Sequence, residues 1–195
     1  MDFESYLYER IKCLILSWNE NDIYAISFYV GYNEMNEYKG LKNLPEFSVG
    51  YNTERDCGKK AGKYSEDRWN YAMWRQNNVP VIDVYEATEG MDCLIEWFGA
   101  IGIDQIGSED TENEFDEEMN YIGKGPKGYY EFLILISDIA KRLQTDGTVK
   151  THFGSIPIIV HDLDYSWYVF DATLNANPNG EAMDFLKALE NGFLE

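Results

Sequence analysis

The sequence predicts an α+β domain, a small and mostly antiparallel sheet packed with several helices. Three observations predict it. Long stretches carry apolar residues at three- and four-residue steps, the period of a helix with one buried face. Three or four short runs are rich in β-branched and aromatic residues, as strands are. The composition is 45% hydrophobic, with 15 Tyr, 10 Phe and 5 Trp. Since each aromatic can bury roughly 150–250 Å², that is enough for a sizeable core. The 195 residues suit one globular domain spanning 1–195, and no internal repeat or linker divides them.

The elements follow in order. Phe3, Tyr6, Leu7, Ile11, Leu14, Ile15 and Trp18 form one stripe, so residues 2–19 read as an amphipathic helix. Residues 23–32 read as a buried strand. Phe47, Val49 and Tyr51 alternate with polar or small residues and give a second strand, antiparallel to the first, after a long exposed connection holding Gly40 and Pro45. Gly58 and Gly62 among charges mark 52–63 as a loop. Ser65 reads as the N-cap of a helix carrying Trp69 to Trp74, with Glu66 and Asp67 in its first turn. Residues 81–84 suit a short strand, 88–101 a buried helix, and 103–118 a polar interval. After the glycine-rich turn at 123–128 comes the clearest helix, 129–143, with Phe132, Leu133, Leu135, Ile136, Ile139, Ala140 and Leu143 on its apolar face. Residues 156–160 suit a strand that Pro157 confines to an edge or a strand start. Residues 164–176 carry both helical and strand signals and are read as helix, followed by a turn at 177–180 and a last helix at 181–191.

Charge restricts function. Lys and Arg number 16 against 35 Asp and Glu, a net −19. Residues 1–100 hold 17 acids and 10 bases, −7; residues 101–195 hold 18 acids and 6 bases, −12. Such a field repels nucleic acid and anionic lipid and attracts cations and basic proteins. Three widely spaced cysteines, Cys13, Cys57 and Cys93, form no disulfide framework or zinc knuckle, and Cys13 and Cys93 read as buried thiols in apolar runs. The N-terminal MDFESYLYERIK lacks the pattern of a signal peptide, and no run approaches the ~18 apolar residues of a membrane span. A cytoplasmic location and no membrane contact are expected.

The chemical motifs are sparse. His161, Asp162 and Asp164 bring an imidazole and two carboxylates close in sequence, yet no further Cys or His is near to complete a metal site. Cys57 and Ser155 have no local nucleophile signature. Gly123-Lys124-Gly125-Pro126-Lys127-Gly128 lacks Walker spacing and reads as a turn with proline in the first turn of the helix. The expectation is a non-enzyme with no catalytic residues, no metal and no cofactor; a hydrolase built from scattered carboxylates is the catalytic alternative.

Two features remain as binding candidates. One is the acidic run of Glu109, Asp110, Glu112, Glu114, Asp116, Glu117 and Glu118, either a solvated loop or a docking segment for a basic surface. The other is Trp69-Asn70-Tyr71-Ala72-Met73-Trp74, whose rings cannot all share one helical face; Trp69 and Trp74 are the candidate anchors if some stay exposed.

The order of segments also resembles a known family. It runs from the strand at 23–32 through Ser-Val-Gly-Tyr-Asn-Thr-Glu at 48–54 and Ser-Glu-Asp-Arg-Trp-Asn-Tyr-Ala-Met-Trp at 65–74 to Ile-Pro-Ile-Ile-Val-His-Asp-Leu-Asp-Tyr at 156–165. Together these resemble an uncharacterised family of acidic, single-domain bacterial proteins with no assigned chemistry. Related small acidic families are often immunity proteins for polymorphic toxins, so the resemblance implies a toxin-neutralising role without implying catalytic residues. The function expected is an acidic protein-binding module for a basic, nuclease-type toxin. The alternative is a small-molecule or peptide binder with an aromatic pocket formed by Trp69, Tyr71 and Trp97.

Overall fold

The computed structural model describes residues 2–32, 34–35, 37–58, 61–109 and 114–193. In chain order the elements are α1 (Phe3–Leu16), β1 (Ile23–Tyr32), β2 (Glu37–Tyr38), β3 (Leu41–Lys42), β4 (Pro45–Thr53), α2 (Glu54–Cys57) and α3 (Glu66–Trp69). A 3₁₀ turn at Tyr71–Met73 follows, then β5 (Val79–Ile82), α4 (Thr88–Ala100), α5 (Tyr129–Thr145), α6 (Thr148–Phe153), β6 (Ile158–His161), α7 (Tyr168–Ala176) and α8 (Met183–Glu190). The class is α+β, as the periodicities predict.

The main sheet has strand order β5-β4-β1-β6. β1 pairs antiparallel with β4 and β4 with β5, while β6 joins β1 in parallel, with Ile26 opposite Ile158 and Tyr29 opposite His161. The sheet is therefore mixed but mostly antiparallel, and β6 occupies an edge directly after Pro157. A separate two-residue hairpin links β2 and β3. Lys39 and Gly40 between them have φ of 53° and 83°, the double left-handed turn that glycine favours.

Each sheet face has its own cover. Phe28 and Phe47 meet edge to face, and Phe47 meets Phe132 of α5, which in turn reaches Phe3 of α1. On the other face Tyr29 stacks on Tyr71, and Tyr71 meets His161. A bulge in β1 sets Ile23 and Ala25 against the adjacent Thr53 and Asn52. The extra residue, Tyr24, meets Trp69 and Trp74. The buried apolar residues form one continuous core.

Several expectations are corrected. Residues 65–74 do not make one helix. Asn70 adopts extended backbone, ending α3, and its side chain accepts from the Ala72 N–H to start the 3₁₀ turn. This break lets Trp69 and Trp74 both turn inward, which an uninterrupted helix could not do, and leaves Ala72 and Met73 exposed. Cys13 is exposed and Cys93 half-buried, because the stripe of Leu7, Ile11 and Ile15 turns Cys13 toward solvent. Pro126 lies before the Gly128 cap of α5 and not within its first turn. Among the described residues no helix is long and apolar enough to cross a membrane.

Candidate functional site

Parallel pairing places the carboxyl ends of β1 and β6 side by side. The chain leaves β1 through Tyr32, Glu34 and Met35, and leaves β6 through residues 162–166. Between these exits lies a cleft of about 580 Å³, in the size range of ligand sites. Five tyrosines line it, Tyr29, Tyr32, Tyr121, Tyr129 and Tyr168, with three carboxylates, Glu34, Asp162 and Asp164. None of the described lining residues is Lys, Arg or His.

The walls are built from local constraints. A side chain on Gly31 would meet the Tyr29 hydroxyl at 2.6 Å, so the glycine makes room for the ring. The start of α5 supplies Tyr129, whose hydroxyl donates to the Val30 carbonyl at 2.9 Å and whose ring stands edge-on to Tyr32. The start of α7 supplies Tyr168, with its ring 5.9 Å from that of Tyr129. Asp162 is only 8% exposed and accepts the Ser166 N–H at 3.1 Å.

The electrostatics agree with the geometry. Burial, then the charges around it, pushes the Tyr29 phenol up to about 12; Asp162 and Asp164 are among those charges. Tyr32 is raised by burial and then by Tyr121, Glu34, Glu114 and Asp162. Tyr168 is raised by burial and by the Asp162 charge beside it. Every one of these three phenols stays protonated at neutral pH, in a field set by carboxylates.

The acidic run adjoins this cleft. Glu109 and Glu114 line a smaller depression that shares Tyr32, Glu34, Tyr121 and Gly125 with it. Asp116 acts inward instead. Its carboxylate accepts the N–H groups of Glu118 and Asn120 and the Asn120 side-chain amide, fixing the turn that brings Phe115 against Tyr121. Glu117 and Glu118 are exposed on that turn. Asp110 and Glu112 lie outside the described residues.

The tryptophans do not belong to the site. Trp69 and Trp74 are 4% and 5% exposed, and their indole N–H groups donate to the carbonyls of Lys63 and Arg68. A partner cannot reach them as anchors. The aromatic pocket expected from Trp69, Tyr71 and Trp97 does not form, since Trp69 packs on Tyr24 and Phe185 while Trp97 packs on Phe3 and Phe98. Sequence reasoning missed the tyrosines. Their signal was the enrichment of Tyr beside acids at 29–34, 114–121 and 162–168, segments that only the tertiary fold unites.

His161, Asp162 and Asp164 part company. His161 is sealed beneath the cleft, its ring 4.7 Å from Tyr71 and stacked on Tyr165. Its Nδ1 lies 2.9 Å from the Asp162 carbonyl, which can only accept, so Nδ1 carries the proton and Nε2 accepts from the Ser27 hydroxyl at 2.8 Å. Both ring nitrogens are thus occupied, leaving no lone pair for a metal. Burial holds the imidazole neutral, its pKa lowered to about 4. Ser27 and His161 have the spacing of a nucleophile and its base, but at 0% and 1% exposure neither can meet a substrate. Among the described residues no group of three His, Cys, Asp or Glu side chains could hold a metal ion. Compared with protein-family models, with curated proteins and with solved structures, the chain matches none.

Proposed function

We propose that this chain is an acidic binding module that captures a basic protein, in the manner of an immunity protein masking a nuclease-type toxin. The observation that carries the reading is the cleft beside β1 and β6. Its ionisable side chains are carboxylates and phenols, and it opens onto the Glu109 and Glu114 depression. A nuclease surface is basic because it holds phosphates, so an acidic module fits the same field. Long-range charge speeds encounter, while the tyrosine rings supply the durable contact that Trp69 and Trp74 cannot. Asp116 orders the turn, and Glu109, Glu114, Glu117 and Glu118 carry the charge outward.

Capture from the cell of origin tests this. The expected catch is a basic protein whose association slows steeply between low and physiological salt. Replacing Glu109, Glu114, Glu117 and Glu118 by Gln should slow association at least about tenfold at low salt and leave dissociation nearly unchanged. A catch without basic proteins, or rates that ignore both salt and the four substitutions, contradicts the proposal and favours a small ligand in the cleft.

A further inference from the structure

We infer that the cleft accepts one arginine side chain of the basic partner, an inference that rests on the partner reading above. Two observations beyond net charge point to it. The first is Asp162. It is more than nine-tenths buried, lines the cleft, and forms no ion pair among the described residues. One backbone N–H, from Ser166, bonds its Oδ1. The Tyr168 hydroxyl is a second hydrogen-bond partner, so hydrogen bonds but no counter-charge meet this carboxylate, and none of the described lining residues is a cation that could neutralise it.

The second is the rings. Tyr29 is half-buried, and Tyr32 and Tyr121 are partly exposed around the same space. Aromatic faces are negative and draw cations. Tyr129, 1% exposed and with its hydroxyl engaged by Val30, backs these rings and does not itself meet a ligand. Anionic ligands find no positive group among these lining residues.

Arginine fits better than lysine. A guanidinium is planar, can fork across carboxylate oxygens and stacks on an aromatic face; an ammonium does neither and surrenders its water less readily. Asp162 and Asp164 stand two residues apart on the turn leaving β6, beside the tyrosine wall. The volume of about 580 Å³ holds a whole side chain with part of its backbone.

The test uses N-acetyl-arginine methylamide and N-acetyl-lysine methylamide at matched ionic strength, followed by amide chemical shifts of the full chain. The arginine probe should move residues 29–35 and 162–168 saturably and bind at least about fivefold tighter than the lysine probe. Asp162→Asn, which still accepts from Ser166, should weaken it about tenfold. Asp164→Asn, at an exposed position, carries the test if the first variant loses its native spectrum. Asp92→Asn, on α4, should change nothing. Equal or tighter lysine binding, shifts outside the cleft, or no saturable shift overturns the inference. If the arginine probe fails while a basic protein is still captured, only this inference falls; if capture fails, the reading beneath it falls too.

Discussion

Ser27 on β1 and His161 on β6 are joined side chain to side chain, the serine hydroxyl donating to Nε2 at 2.8 Å across the parallel pairing of these two strands. This bond, fully buried, supports the floor of the cleft. His161 also holds the Asp162 carbonyl, and so the turn that carries Asp162 and Asp164.

The first prediction is a pH dependence. The folded His161 has its pKa lowered to about 4 from 6.5. The unfolded chain therefore binds a proton that the folded chain refuses between those values. Stability from this source is complete above about 6.5, falls as pH drops, and levels below about 4, a loss of roughly 3 kcal/mol. Urea unfolding of the wild type and His161→Gln across this window checks it, since the variant should lack that slope. Ser27→Ala, which leaves Nε2 without its donor, should cost about 1–3 kcal/mol at neutral pH.

The second prediction concerns the core. Ile136 on α5 is fully buried, whereas Ile134 on the same helix is partly exposed. Ile136→Ala should cost about 2–5 kcal/mol and Ile134→Ala no more than about 0.5 kcal/mol. Comparable losses by urea denaturation would contradict the orientation of α5.

Trp74 gives the third. Its ring meets Tyr24 and Tyr71 and its N–H is bonded to the Arg68 carbonyl. Trp74→Ala should cost about 3–5 kcal/mol of stability. Trp74→Phe should keep the fold and leave capture of a basic partner unchanged. Lost capture with intact stability would make Trp74 an anchor after all.

Much of this fold was legible where structure is local. The strand at 23–32 has the bounds its composition predicts, and α4 and α5 begin where their stripes begin. Pro157 correctly marked an edge. What escaped was decided by few atoms or by distance. The side chain of Asn70 starts a new turn and redirects two tryptophans, where helical period alone predicted a continuous helix. The hairpin at 37–42 depends on left-handed backbone at Lys39, a residue that rarely adopts it. The cleft exists only because β6 returns parallel to β1, and no local pattern names a strand's partner. Tyr29, Tyr121 and Tyr168 therefore read as unrelated aromatics until the topology brings them together.

The central claim is that the cleft between the ends of β1 and β6 is where a basic partner sits. Hydrogen exchange of the chain, alone and with the captured protein bound, tests it most directly. Protection should appear at residues 29–35, 121–125 and 162–168, and weaken when Asp164 and Glu34 are replaced by Asn and Gln. Protection confined to other surfaces, with these three segments exchanging as in the free chain, would contradict it.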